Sequence, residues 1–168
     1  MTKKATEEVV EFSNFLERFP EIDLPVTLGD EMHMTFSSEN KPLQSLMINQ
    51  HLLRAEEKEP DEFTEFIPCF RIKETISFHA IVYWRAGLLD YQYIMATFDK
   101  DGNVLDRRVL GGTHVEGEII TKSVPTIDSD WTIHVVSGQG KSSDNIYDPA
   151  TSTKFELELL PDGLVVNV

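Results

Sequence analysis

Residues 98–104 read Phe-Asp-Lys-Asp-Gly-Asn-Val and separate two runs of β-prone residues, Tyr91–Phe98 and Val104–Leu110. Aspartate and glycine between such runs are typical of a β-hairpin loop, because aspartate caps the turn and glycine tolerates a positive φ angle. A second turn of this kind, Leu160–Leu164, reads Leu-Pro-Asp-Gly-Leu. Strand-like runs recur at short spacing between the two turns, which indicates an antiparallel meander.

Eight strands are predicted from residue 66 onward. They are Phe66–Lys73, Ile76–Arg85, Tyr91–Phe98, Val104–Leu110, Glu118–Val124, Trp131–Ser137, Phe155–Leu160 and Leu164–Val168. The run Ile76–Arg85 is apolar at both odd and even positions, which predicts a strand that is buried on both faces. The polar, glycine-containing stretch Ser137–Ser152 is predicted to be one long loop.

The first third of the chain has the pattern of two helices. Apolar side chains recur at helical spacing over Thr6–Phe19 and again over Pro42–Arg54, where proline suits the first turn. Leu24–Leu28 is predicted to be a short extended piece, and Glu31–Phe36 alternates apolar and polar residues as a strand does. The acidic run Ala55–Glu65 is predicted to be a solvent-exposed linker or helix tail.

These elements predict a single α+β domain with a helical N-terminal layer at residues 1–65 and an antiparallel β-meander at residues 66–168. Two N-terminal helices are expected to pack on a curled, mainly antiparallel sheet of about eight strands, barrel-like or a sandwich. A chain of 168 residues is long enough to bury a core without disulfides. The only cysteine, Cys69, lies in an apolar run and is predicted to be buried.

The chain is acidic, with 29 Asp and Glu against 15 Lys and Arg and a net charge of −14. Residues 1–68 carry a net charge of −9 and residues 69–168 a net charge of −5. Repulsion from phosphate makes nucleic acids and anionic membranes poor partners for such a surface. No apolar segment follows the basic residues of Met1–Glu8 and no run approaches membrane-spanning length, so we expect a cytoplasmic protein.

Histidines and aromatic residues on the predicted strands are candidates for a ligand pocket, because an ionisable group inside a β cavity can recognise a polar part of a ligand. The proposed lining is His79, Tyr83, Tyr93, Trp131 and His134, with Trp84 and Tyr91 as further aromatic candidates. The same pattern is expected if the aromatic side chains fill a core and each histidine is neutral and hydrogen-bonded.

His114, Glu116 and Glu118 alternate along the chain, so on a strand their side chains project from one face. One imidazole and two carboxylates are a ligand set for Zn, Mn or Fe, which makes these residues a metal-site candidate. The alternative is a polar, solvent-facing strand edge after a bulge at Gly111-Gly112.

The hairpin sequence Phe98–Asp106 and the later run Lys154–Gly163, which reads Lys-Phe-Glu-Leu-Glu-Leu-Leu-Pro-Asp-Gly, resemble small uncharacterised bacterial β-meander proteins. In those proteins strand, Asp-Gly turn and strand recur after a short helical segment. The resemblance covers roughly the last 70 residues and implies a meander, with no activity or site residue attached.

Three hypotheses of function follow. The leading one is a non-enzymatic, acidic protein-interaction module that binds a basic protein partner, because no catalytic motif is complete. The second is a small-molecule-binding protein with a pocket in the curled sheet. The third is a metal-dependent enzyme that uses the candidate metal ligands. The sequence favours a protein without enzymatic activity and predicts no cofactor.

Overall fold

The computed structural model of the chain describes the backbone of residues 8–141 and 147–168 and the side chains of residues 8–141 and 152–168. This described part contains three short helices and a 3-10 helix: α1 (Phe12–Leu16), α2 (Met32–Glu39), α3 (Ser45–Gln50) and the 3-10 helix Leu52–Ala55. None of the helices in these residues has the length and apolar character needed to cross a bilayer.

Nine strands form one sheet in the described residues. They are β1 (Val26–Thr27), β2 (Glu65–Arg71), β3 (Phe78–Ala86), β4 (Asp90–Asp99), β5 (Val104–Glu116), β6 (Ile119–Ile127), β7 (Thr132–Lys141), β8 (Tyr147–Leu159) and β9 (Val165–Asn167). From β2 to β9 each strand pairs antiparallel with the next strand of the sequence, and β1 adds to β6. The predicted antiparallel sheet is confirmed. It is open, with β2 and β9 at its two ends, and does not close into a barrel.

β5 takes part in both halves of the sheet. It pairs with β4 along most of its length, and from Gly112 to Glu116 it also pairs with β6. β6 leaves β5 after Ser123 and pairs with β1 at Thr126 and Ile127. Because the sheet parts at this point, the half made of β6–β9 folds over β3 and β4.

The first hydrophobic core lies between these two halves of the sheet. Phe78, Val82 and Met95 of β3 and β4 belong to the same buried cluster as Ile133 and Leu157 of β7 and β8. α2 and the segment before it also contribute buried side chains to this core. The N-terminal part of the chain is therefore packed on the sheet at two places, here and on the opposite face.

The second hydrophobic core lies on that opposite face of β3 and β4. Phe15, Phe19 and Leu52 from the helical segments pack there with Ile81 and Phe98. Even-numbered residues of β3 thus enter the first core and odd-numbered residues the second, which confirms that this strand is buried on both faces.

The helices are shorter than the sequence predicts, and the layer of two N-terminal helices is not confirmed. Only Phe12–Leu16 of the predicted helix Thr6–Phe19 is helical, and residues 6 and 7 lie outside the described part. Pro42–Arg54 divides into α3 and the 3-10 helix. Non-local packing of the phenylalanine side chains fixes this segment, so a long helix is not needed to bury them.

The strand prediction for Glu31–Phe36 is wrong, because these residues form most of α2. In a helix Met32 and Phe36 are one turn apart on the same face, and both pack against the first core. A short apolar pattern fits both the two-residue period of a strand and the helical period, and the contact with the sheet decides in favour of the helix.

The prediction of one long loop at Ser137–Ser152 is also wrong. β7 continues to Lys141 and β8 begins at Tyr147, with Gln139 opposite Asp148 in register. Backbone pairing of the two strands extends the hairpin although the sequence there is rich in serine and glycine. Residues 142–146 lie outside the described residues.

Cys69 is fully buried, as predicted. Burial raises the pKa of its thiol far above the ordinary value. Because the thiolate is the reactive form of cysteine, this side chain acts as a small apolar residue of the first core.

Candidate ligand-binding cleft

A cleft of about 530 Å³ opens where β3, β4, β5 and β6 meet the N-terminal end of α2. Clefts that bind small molecules commonly measure about 300–1,000 Å³ and are mostly apolar with a few polar groups. This cleft has that composition, with aromatic residues as its floor, aliphatic walls and one polar edge.

Three nearly parallel rings form the aromatic floor. The centroids of His33 and Trp84 are 4.2 Å apart with an interplanar angle of 3°, and those of Trp84 and Tyr91 are 5.7 Å apart with an angle of 7°. Trp84 is buried, whereas 43% of the surface of Tyr91 is exposed. Parallel aromatic rings with one accessible member favour the stacking of a further flat ring.

The register of β3 and β4 brings these rings together. Trp84 lies directly opposite Tyr93, and Tyr91 lies two residues earlier in β4, on the same face of the sheet. The hydroxyl of Tyr93 donates a hydrogen bond of 2.8 Å to the carbonyl oxygen of Gly29, which fixes the start of α2 beside the cleft. Burial also raises the pKa of the Tyr93 phenol, so this donor keeps its proton.

A charged pair forms the polar edge of the cleft. The Lys122 ammonium lies 2.8 Å from Asp30 Oδ2, and the Thr113 hydroxyl donates to Asp30 Oδ1 at 3.2 Å. Thr113 and Lys122 are direct partners in the pairing of β5 with β6. The Asp30 and Lys122 side chains are 46% and 49% exposed, so the pair contributes little to stability and its polar atoms face the solvent in the cleft.

Val115 and Ile120 form the aliphatic wall, opposite each other in β5 and β6. Gly112 completes it, with a φ angle of +141°. A Cβ atom at Gly112 would lie 1.8 Å from the carbonyl oxygen of Tyr91, so only glycine allows β4 and β5 to approach each other here. The close approach of the two strands at this residue therefore shapes the cleft.

The His33 ring carries a buried nitrogen, Nδ1, that has no hydrogen-bond partner among the described residues. An unpaired buried polar atom costs about 1–3 kcal/mol. The stack on Trp84 compensates for part of this cost.

The five residues proposed from the sequence as one pocket lining do not share a cavity. Tyr93 lines the cleft and Trp131 packs against the first core, whereas Tyr83 lies in the second core on the other face of the sheet. His79 points to that second side, where its ring lies 6.1 Å from the ring of Phe12, and burial lowers its pKa. Successive strand residues project to opposite faces, which separates Tyr83 and His79 from Tyr93.

The fifth residue, His134, lies at the surface. Its Nε2 is 2.7 Å from Asp128 Oδ2 and its Nδ1 is 3.3 Å from Glu156 Oε1. Its strand neighbours Ile133 and Val135 point into the first core instead. His134 is thus a surface residue between two carboxylates, away from the cleft.

The proposed metal ligands are only partly grouped. The His114 ring hydrogen-bonds through Nδ1 to the carboxylate of Asp90, which raises the pKa of the imidazole, and Glu116 lies 3.9 Å from Nε2. Glu118 lies in the turn between β5 and β6 and does not continue the strand. In the described part of the chain no three His, Cys, Asp or Glu side chains are placed to hold a metal ion.

A buried charge cluster lies on the other face of the sheet, at the end of the 3-10 helix. The Glu56 side chain is 2% exposed and is 2.6 Å from Arg85 Nε and 3.2 Å from Arg107. It also accepts a 2.7 Å hydrogen bond from the Tyr83 hydroxyl. The prediction that Ala55–Glu65 is a solvent-exposed linker or helix tail is therefore wrong at its start, where Ala55 and the Glu56 side chain are buried, and Glu56 anchors this segment to β3 and β5.

A second cavity of about 570 Å³ lies between the N-terminal segment that contains α1 and the segment that joins α2 to α3. Its lining is largely polar and includes Glu17, Arg18, Glu39 and Lys41. It lacks the aromatic floor of the cleft, so the cleft is the stronger candidate site.

Comparisons of the chain with models of protein families, with curated proteins and with solved structures give no match. The cleft is thus assigned from its own geometry. Of its lining residues the sequence-based candidates include only the aromatic residues Trp84, Tyr91 and Tyr93, and they omit the polar residues Asp30, His33, Thr113 and Lys122. Asp30 precedes and His33 lies within a segment that alternates like a strand, and Lys122 is one of several lysines, so no local signal marks them.

Proposed function

We propose that the protein binds a small, planar, mainly apolar molecule in the cleft between α2 and strands β3–β6. The observation that supports this proposal is the set of parallel rings of His33, Trp84 and Tyr91, with Tyr91 exposed. Offset stacking of aromatic rings contributes about 0.5–1.5 kcal/mol beyond the burial of apolar area. A bicyclic ligand covers the Tyr91 ring and contacts Val115 and Ile120.

The test is titration of the full chain with quinoline, followed by two-dimensional NMR. The sequence has two tryptophans, Trp84 and Trp131, so each indole N–H signal reports on one location. We expect the Trp84 signal to move with saturation and the Trp131 signal to stay. Tyr91→Ala is expected to weaken binding about tenfold, because it removes the stacking surface.

The matched control is Phe63→Ala, since Phe63 is also an exposed aromatic residue but lies outside the cleft. This variant is expected to bind quinoline like the unmodified chain. Equal affinities for Tyr91→Ala and the unmodified chain, or no saturable shift at Trp84, would overturn the proposed function.

A second candidate function is the acidic protein-interaction module, which a surface segment supports. Glu57, Glu59, Asp61 and Glu62 are all exposed and lie next to Phe63, which is exposed as well. Clustered acids steer a basic partner, and an exposed aromatic side chain supplies apolar contact area.

The test of this second candidate compares retention of cell proteins at low salt on the unmodified chain and on a variant with Glu57→Gln, Glu59→Gln, Asp61→Asn and Glu62→Gln. We expect a basic protein to be retained by the first and lost by the second, with loss at high salt as well. Identical retention on both chains would contradict the interaction module.

A further inference from the structure

The polar edge of the cleft presents a hydrogen-bond donor and an acceptor side by side. Lys122 Nζ and Asp30 Oδ2 are 2.8 Å apart, and both side chains are about half-exposed. They lie beside the aromatic floor rather than on the outer surface, because Trp84, Tyr91 and Tyr93 line the same cleft.

Both groups have capacity left for a ligand. An ammonium has three N–H donors, and the contact with Asp30 uses one of them. A carboxylate has about four acceptor sites, of which Thr113 and Lys122 occupy two. Asp30 is therefore able to accept one more N–H, and Lys122 is able to donate to one more oxygen.

We infer that the ligand is a neutral, planar heteroaromatic molecule with a lactam edge, in which an N–H and a C=O are adjacent in the ring. This inference rests on the proposed function and specifies the ligand class of the same cleft. The ring stacks on Tyr91, its N–H donates to Asp30 and its carbonyl oxygen accepts from Lys122. The adjacent donor and acceptor of the lactam match the adjacent acceptor and donor of the charged pair.

Charge favours a neutral ligand over an aromatic acid. Asp30 and Lys122 together carry no net charge, and the whole chain has a net charge of −14. An anionic ligand gains the attraction of Lys122 but meets Asp30 at close range and the field of the protein at long range. A lactam engages the free acceptor capacity of Asp30 and the free donor capacity of Lys122 at the same time.

The experiment compares quinoline, 2-quinolinone and N-methyl-2-quinolinone on the full chain, with the Trp84 indole signal as the readout. The three molecules share one bicyclic plane, and only 2-quinolinone has the lactam N–H. We expect 2-quinolinone to bind about tenfold more tightly than either relative, as one or two hydrogen bonds to charged groups predict. Quinoline-2-carboxylate is the anionic probe and is expected to bind more weakly than 2-quinolinone.

Lys122→Met retains the apolar stem of the side chain and removes the donor. It is expected to reduce the preference for 2-quinolinone over quinoline, because the lactam carbonyl loses its donor while Asp30 still accepts the lactam N–H, and quinoline is still expected to shift the Trp84 signal. Lys154→Met is the matched control, because Lys154 is an exposed lysine on β8, outside the cleft. Its preference is expected to equal that of the unmodified chain.

The outcomes separate the two proposals. If quinoline and 2-quinolinone bind equally well, the lactam inference is wrong and the aromatic cleft stands. If quinoline-2-carboxylate binds most tightly, Lys122 selects an acid and the lactam inference is wrong. If none of the probes shifts the Trp84 signal, both the proposed function and the inference fail.

Discussion

Gly112 is the residue at which the sheet divides, and its lack of a side chain is a requirement of the fold. Gly112→Ala places a Cβ atom 1.8 Å from the carbonyl oxygen of Tyr91, at a φ angle of +141°. We expect this change to lower the free energy of unfolding by about 3–5 kcal/mol, from positive-φ strain and overpacking together. Urea denaturation measures the loss.

Gly117→Ala is the control for that prediction. Gly117 also has a positive φ angle, +60°, but nothing lies within 4 Å of the position of its Cβ atom. We expect a loss of about 1–2 kcal/mol, the cost of the left-handed conformation alone. If both variants lose the same amount, the close approach of β4 and β5 at Gly112 does not limit the fold.

The pKa values of His114 and His79 are expected to be shifted in opposite directions from the ordinary histidine value. The hydrogen bond from His114 to Asp90 raises the pKa of one imidazole, whereas burial lowers the pKa of the other. In Asp90→Asn we expect the pKa of His114 to fall towards the ordinary histidine value while that of His79 stays below it. Titration of the imidazole NMR signals tests this, and an unchanged pKa of His114 in the variant would contradict the pairing.

At the scale of elements, the 3-10 helix is held to the sheet by the buried carboxylate of Glu56. Glu56→Ala leaves Arg85 and Arg107 facing each other without their shared partner. We expect the free energy of unfolding to fall by about 3–5 kcal/mol, because the removal of one member of a buried ion pair leaves the remaining charges buried without a partner. We expect the rate of hydrogen exchange to increase most, relative to the unmodified chain, at Leu52–Ala55.

The control for Glu56 is the next residue. The Glu57 carboxylate lies 3.7 Å from Arg107 but is 80% exposed. Glu57→Ala is expected to cost less than about 0.5 kcal/mol, as exposed pairs usually do. A similar loss of unfolding free energy in both variants would mean that burial does not make the Glu56 ion pairs more stabilising than the exposed pair of Glu57.

The strands were predictable from the sequence because their signals are local. The Asp-Gly turn after β4 is realised by Asp99, whose carboxylate accepts from the backbone N–H groups of Asp101 and Asn103. The same bonds lower the pKa of Asp99. Strand alternation and turn residues are properties of neighbouring positions, so a single sequence contains them.

The short helices and most of the cleft were not predictable, because they depend on distant partners. α2 is specified by the contact of Phe36 with the first core and of His33 with Trp84, 51 positions away in the sequence. The pair of Asp30 with Lys122 joins residues 92 positions apart. The sequence predicts only the aromatic residues of β3 and β4 as cleft candidates. Which face of the sheet each of them occupies depends on the register of the strands.

At the scale of the whole molecule, alkaline pH is expected to unfold the chain. Burial raises the pKa of Cys69, Tyr83 and Tyr93, so these groups stay protonated when folded and ionise when unfolded. For a raised pKa the stability is complete below the unfolded pKa and falls as the pH rises above it. The fall is therefore expected to start at about pH 8.5, from the thiol, and to steepen above about pH 10, from the phenols.

Tyr93→Phe tests this dependence. Above about pH 10 each buried phenol contributes up to about 1.4 kcal/mol per pH unit to the slope of stability against pH. We expect the variant to have a shallower slope by that amount and an unfolding free energy at pH 8 lowered only by the loss of the bond to Gly29. Urea denaturation from pH 8 to pH 11 measures both, and equal slopes would contradict the assignment.

The parting of the sheet beside β5 has a consequence for a chain cut in two. A break after Gly117, in the exposed turn between β5 and β6, leaves one piece with Phe78 and Met95 and another with Ile133 and Leu157. Neither piece is able to cover its own apolar face, because each piece supplies only half of the first core. We expect the separate pieces to aggregate or stay unfolded and an equimolar mixture to reconstitute the circular dichroism spectrum of the intact chain. Reconstitution would make the protein a scaffold for two-fragment complementation.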